Sequence, residues 1–164
     1  MMDNIVLMGM PSSGKSTKGK SIAEILGMDF IDTDEMIKEK AGADPAELVK
    51  RYGREYFLKI QDRIVSELNV DNTVIATGGG IIYSEGAMER LNKLGTVIFL
   101  DVPLDIIEKR VDSRRKLSGR EGGSLHDLFV ERQPLYRKYA DIIIDCERME
   151  SEEIVRKVIK EIKK

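Results

Sequence analysis

Disulfides are the first thing this chain cannot have: its 164 residues include a single cysteine, Cys146, so no internal bridge is possible. A lone thiol of this kind reads as structural, and with no charged-then-apolar leader at the start the chain is expected in a reducing cytoplasm. An excess of one charge is also missing. The 27 basic residues face 29 acidic ones, a net charge of -2, which argues against nucleic acid or an anionic membrane as partner. Long apolar runs are absent too; T-V-I-F-L at 96–100 is far short of the ~18 residues a membrane span needs. Histidine occurs once, at His126 on a predicted helix, and is read as a surface residue with no assigned role.

What the chain does have is a core: 41% of its residues are hydrophobic, and its length suits one domain, 1–164. Strand-length apolar segments fall at 4–8, 28–31, 73–76, 96–100 and 141–144. Helical periodicity fills 15–26, 33–69 in two or three pieces, 85–94, 104–113, 124–139 and 150–163. Short, uniformly apolar strands alternating with helices predict an α/β fold, a doubly wound, five-stranded parallel sheet flanked by helices, with ligands at the carboxyl ends of its strands.

Directly after the first strand stands G-M-P-S-S-G-K-S-T, Gly9 to Thr17, which matches G-x-x-x-x-G-K-[ST]. The loop through Pro11, Ser12, Ser13 and Gly14 would turn backbone N–H groups around phosphate oxygens, with the next helix presenting its positive end to the same anion. Lys15 would reach the β and γ phosphates and Ser16 would ligate Mg²⁺, with Thr17 closing the nucleotide-binding set. Other nucleotide users fit poorly. The guanine-reading N-K-x-D has only N-K-L-G at 92–95 for comparison, no D-x-x-G occurs, and V-I-F-L-D at 97–101 is followed by Val102 where a hydrolytic motor would carry glutamate. Asp101 is read as a strand-end residue.

The acceptor side starts at I-D-T-D-E, 31–35, where an extended chain would point Asp32 and Asp34 to one side. Like charges that close need water, or a cation and a proton-bearing substrate, between them. The third strand ends in T-G-G-G, Thr77 to Gly80. Gly78, Gly79 and Gly80 form either a flexible turn or a backbone surface against which a small ligand can press. In E-R-Q-P-L-Y, 131–136, Arg132 lies near the end of a helix stopped by Pro134; it is either a surface side chain or a planar fork for a carboxylate or phosphate. The glycine- and arginine-rich stretch at 114–124 is either a solvated loop or a basic lid over phosphates.

As a set these motifs resemble the shikimate kinases, ATP-dependent enzymes with a P-loop, nucleoside-monophosphate-kinase-like core. The resemblance runs nearly end to end. It implies that Asp32 holds Mg²⁺ through water, that Asp34 accepts the proton of the attacking hydroxyl, and that Gly79, Gly80 and Arg132 hold the acceptor. It also implies Arg110 beside the adenine, helices within about 33–69 around the acceptor, and a lid at about 113–124 from which Arg115 or Arg120 closes over the transferring phosphate. The partners expected are ATP and a small hydroxylated, anionic acceptor, in a monomer.

Two substrate-side positions of the family's G-E-x-x-F-R-x-x-E have changed together: in G-R-E-Y-F-L-K-I-Q, from Gly53, Leu58 stands for the arginine and Gln61 for the second glutamate. The acceptor is then shikimate, or another small hydroxy acid, polyol or amino acid alcohol; a module that binds nucleotide without transferring phosphate is the reading from a different class. On a helical projection Phe57, Ile60, Ile64, Val65 and Leu68 form an apolar stripe that also takes in Arg54 and Gln61. Those two side chains either face the acceptor pocket, Arg54 replacing the missing arginine, or reach solvent from the stripe's edge. A nucleotide as acceptor is disfavoured because Tyr52, Tyr56 and Phe57 read as core rather than as a base-stacking set.

Overall fold

The computed structural model describes residues 3–111 and 124–164. Five strands, β1 (Asn4–Met8), β2 (Asp29–Asp32), β3 (Thr73–Ala76), β4 (Gly95–Asp101) and β5 (Ile142–Asp145), pair in parallel in the order β2-β3-β1-β4-β5. β1, β3 and the body of β4 are buried, which is why their residues are uniformly apolar; β2 and β5 form the edges and alternate or expose. From the central β1 the chain leaves toward β2, whereas β4 leads on toward β5. The loops therefore diverge at the carboxyl ends of the central strands and open a crevice there.

The helices flanking the sheet are α1 (Lys15–Leu26), α2 (Thr33–Ala41), α3 (Pro45–Tyr52), α4 (Arg54–Ser66), α5 (Glu85–Leu94), α6 (Leu104–Arg110), α7 (Leu125–Tyr139) and α8 (Ser151–Ile162), with one 3₁₀ turn at Ile81–Tyr83. The stretch expected at 33–69 resolves into three helices, capped at their starts by Asp32 on α2 and Asp44 on α3 and divided from α4 by Gly53 at φ 91°. They enclose a small apolar cluster of their own around Ile37, Leu48, Phe57 and Ile64, separate from the main core on the sheet. Leu58 packs against that small cluster.

Two expectations are corrected. Pro134 does not end its helix: α7 runs on to Tyr139, because Leu128, Arg132 and Tyr136 bury one face on both sides of the proline and tertiary packing outweighs one forgone N–H bond. Of the three aromatic residues read as core, only Phe57 is; Tyr52 and Tyr56 are exposed at the α3–α4 junction, their rings in tilted contact with centroids 4.6 Å apart. Among the described residues, no helix is long and apolar enough to cross a membrane.

One side chain ties the amino ends of the central strands together. Asn4, almost fully buried, donates to the carbonyls of Val70 (2.7 Å) and Leu94 (3.0 Å) and accepts the Thr73 N–H (2.9 Å). Asn4→Ala leaves those backbone groups without partners and is expected to lower unfolding free energy by about 3 kcal/mol. Urea denaturation measures it, as a fall in midpoint at unchanged slope.

Candidate active site

The nucleotide side is built by the turn from β1 into α1. Gly14 sits at φ 85°, a left-handed backbone that suits glycine, and serves as N-cap of α1 without a side-chain cap. The first N–H groups of α1 thus face the loop's interior, where an anion would complete them. Lys15 is buried and its ammonium donates to the carbonyls of Gly9 (2.7 Å) and Met10 (2.8 Å). Pro11, Ser12, Ser13 and Thr17 belong to the same turn, and Arg110, at the end of α6, reaches the Ser12 carbonyl at 3.5 Å.

The two aspartates of D-T-D do not converge as an extended chain would have them. β2 ends at Asp32 and α2 begins at Thr33, so the alternation stops between them. Asp32 Oδ1 caps α2 by accepting from the N–H groups of Asp34 (2.9 Å) and Glu35 (3.3 Å), while Oδ2 accepts from Ser16 Oγ at 2.5 Å. Asp34, in the first turn of α2, is directed at the glycine triplet: a β-carbon on Gly78 would stand 2.3 Å from its Oδ1. Repulsion within the pair is relieved by sending one carboxylate to the phosphate loop and the other to the glycine triplet.

The glycine triplet is a fastened turn. Thr77 donates through Oγ1 to the Leu7 carbonyl (2.8 Å), the Gly78 N–H donates to Thr33 Oγ1 (3.0 Å), and the Tyr136 hydroxyl donates to the Gly79 carbonyl (2.6 Å). Gln61 Nε2 donates to Ser84 Oγ (2.8 Å) and, at 3.4 Å, to the Gly80 carbonyl. A β-carbon on Gly79 would meet Pro11 Cδ at 2.8 Å and Arg132 Nη1 at 2.9 Å. The triplet therefore brings the phosphate loop, Asp34 and Arg132 to one place.

Arg132 has no exposed surface, so it is not a surface arginine. Its guanidinium carbon lies 5.3 Å from the centre of the Tyr83 ring, and that of the exposed Arg54 lies 4.6 Å from the same ring. The Tyr83 hydroxyl donates to Glu131, and burial, reinforced by that carboxylate, raises the Tyr83 pKa. Gln61 is 1% exposed with its amide spent on the glycine turn, so of the two residues suspected on the α4 stripe one is buried and one exposed. Arg115 and Arg120 lie outside the described residues.

Sequence patterns thus located the phosphate loop, Asp32, Asp34, Gly78–Gly80 and Arg132, which the fold brings together. They missed Thr33, Tyr83, Glu131 and Tyr136, which hold the others in place. Tyr136 carried one signal, lying four residues after Arg132 on the same helix face; Tyr83 and Glu131 are 48 residues apart and carried none. Among the described residues, no group of three or more histidine, cysteine or acidic side chains could hold a metal.

A phosphate loop on a parallel sheet, with a carboxylate, a buried arginine and a glycine turn gathered beside it, defines a P-loop kinase of small molecules. Residues 11–163 match the family model described as shikimate kinase. A shikimate kinase of Clostridium botulinum is 40% identical over 157 residues, 92% of each chain, and one of Caldanaerobacter subterraneus is 35% identical over 164 residues, 97% of this chain and 95% of that one. The structure of shikimate kinase from Acinetobacter baumannii in complex with shikimate superposes with a TM-score of 0.89 at 30% identity, covering 99% of this chain and 93% of that one. The chain belongs to the shikimate kinase family, and is an ATP-binding phosphotransferase with an alcohol group as acceptor.

The Tyr136 hydroxyl is a neutral donor over a wide range, since burial pushes its pKa up to about 12. Tyr136→Phe, which keeps the stack on Phe99 (4.9 Å), is expected to cost about 1–2 kcal/mol of stability by stranding the Gly79 carbonyl. Folding favours the neutral phenol, so the gap between the two proteins holds below the ordinary tyrosine value of about 10 and narrows as pH rises toward 12. Thermal unfolding across that range measures it.

Proposed function

We propose that the chain transfers the γ-phosphoryl group of ATP to a hydroxyl of shikimate, giving shikimate 3-phosphate. The observation that carries this is the convergence of Asp34, the Gly78–Gly80 backbone and the buried Arg132 beside Pro11 of the phosphate loop. An acceptor seated there has its carboxylate toward Arg132, its ring against the glycines and a hydroxyl at Asp34. Lys15 moves from its carbonyls to the β and γ phosphates, with Arg110 beside the base. Phosphoryl transfer asks mainly for such positioning and for charge on the equatorial oxygens.

Ser16 Oγ and Asp32 Oδ2 are two hard oxygen donors 2.5 Å apart at the mouth of the loop, a set that suits Mg²⁺ sharing its remaining positions with water and phosphate. The ion would supply neutralisation of the phosphate charge. Asp32 is held for this by the two N–H groups it caps.

Arg54 stands in for the arginine absent at position 58. Its guanidinium rests on Tyr83, the ring that also borders Arg132, so two guanidiniums flank one side of the acceptor. A second reading, another small hydroxy acid as acceptor, is favoured by Leu58, which packs into the small apolar cluster instead of lining a charged site.

Coupled ADP release with ATP, Mg²⁺ and shikimate against a panel of small hydroxyl compounds tests the assignment: saturable turnover with shikimate is expected, and turnover only with another compound overturns it. Asp34→Asn is expected to lower kcat by about 10²–10⁴-fold with the ATP Michaelis constant unchanged. Arg54→Ala is expected to do the reverse, raising the acceptor Michaelis constant about tenfold while ATP is bound as before. An Arg54→Ala enzyme with an unchanged acceptor constant removes Arg54 from the site.

A further inference from the structure

The phosphate-binding motif asks for one lysine, yet a second lies buried behind the loop. Lys18 is 3% exposed and shares the inner face of α1 with Gly19, Ile22 and Ala23. Helical side chains lean toward the helix N-terminus, and Lys18 reaches back a turn so that Nζ donates to the Ser13 carbonyl at 3.2 Å. A β-carbon on Gly14 would stand 2.3 Å from that Nζ. On the neighbouring peptide, Arg110 reaches the Ser12 carbonyl at 3.5 Å. Two cations therefore grip consecutive carbonyls of one loop.

This arrangement is costly without an anion. The buried ammonium has given up its water, and the Arg110 cation on the neighbouring peptide adds to the cost. Among the described residues, the hydrogen bond Lys18 makes goes to a neutral carbonyl, and no carboxylate pairs with it. The trans peptide has its own consequence: its C=O and N–H point in opposite directions, so drawing the Ser13 carbonyl toward Lys18 aims the Gly14 N–H away from Lys18.

We propose that Lys18 is a second cation of the phosphate loop, a positioning residue that acts from behind the Ser13–Gly14 peptide to tighten the binding of the nucleotide's polyphosphate. It orients the Gly14 N–H toward the phosphates and adds positive potential beneath them, and it has no part in holding the acceptor. The proposal rests on ATP as the nucleotide, which wild-type binding checks separately.

The test compares the ATP affinity, by calorimetry with Mg²⁺, of wild type, Lys18→Met and Lys18→Gln; glutamine can still donate to Ser13 but carries no charge. Both variants are expected to bind ATP about tenfold more weakly, with the acceptor Michaelis constant within twofold of wild type. Unliganded Lys18→Met is expected to melt no lower than wild type, because a desolvated charge has been removed. Wild-type ATP affinity in Lys18→Gln, or a parallel loss of acceptor affinity in either variant, overturns the proposal. Should Lys18→Met fail to fold, Lys18→Gln decides alone; should wild type bind no ATP, the nucleotide assignment falls instead.

Discussion

The glycine turn after β3 has no room for side chains, because the space beside Gly78 and Gly79 is already taken by Asp34, Pro11 and Arg132. Its backbone is bonded to β1 through Thr77, to α2 through Thr33, to α7 through Tyr136 and to α4 through Gln61. Each of those elements brings a residue of the proposed site: the phosphate loop leaves β1, Asp34 lies in the first turn of α2, Arg132 rides on α7 and Arg54 begins α4. The turn is thus the common reference for both halves of the proposed site. Positional tolerance in phosphoryl transfer is small, and a turn held by hydrogen bonds from four elements fixes their relative positions.

Charge is distributed to match. Asp32 closes the amino end of α2 with one oxygen and faces Ser16 with the other, so the same carboxylate that stabilises a helix is aimed at the nucleotide side. Asp34, two residues on, is turned away to the glycine turn. On the opposite sign, Lys15, Lys18 and Arg132 are all buried cations, and the role proposed for each is toward an anion. Leu58 and Gln61 depart from the family pattern together, and that makes physical sense. Both replacements are neutral, so neither adds a charge that needs a partner: Leu58 packs against the apolar cluster of α2–α4 and the Gln61 amide donates to Ser84 and the Gly80 carbonyl.

The fold was legible because its signals are local: five short apolar strands, a glycine-rich turn entering α1, and helical periods between them. Boundaries moved by a residue or two where caps such as Asp32 and Asp44 decide them. The site was legible in its motifs and not in its supports. Pairing of Tyr83 with Glu131, or of Asn4 with Val70 and Leu94, joins positions that only the tertiary fold brings together. The D-T-D spacing misled for a related reason, since alternation applies within a strand and the strand ends inside the motif. Pro134 and the exposed Tyr52–Tyr56 pair show the same limit: a local rule for proline or for aromatic burial yields to what the neighbouring helices cover.

The most direct test of the glycine turn's role is acceptor-dependent turnover by Gly78→Ala. The added β-carbon would stand 2.3 Å from Asp34 Oδ1, so the carboxylate must move while the phosphate loop keeps its own hydrogen bonds. A fall in kcat of about 10²-fold or more is expected, as for a catalytic group displaced by an ångström, with ATP affinity retained. Near-wild-type turnover would contradict this, because the placement of Asp34 by the turn would then not matter to the reaction.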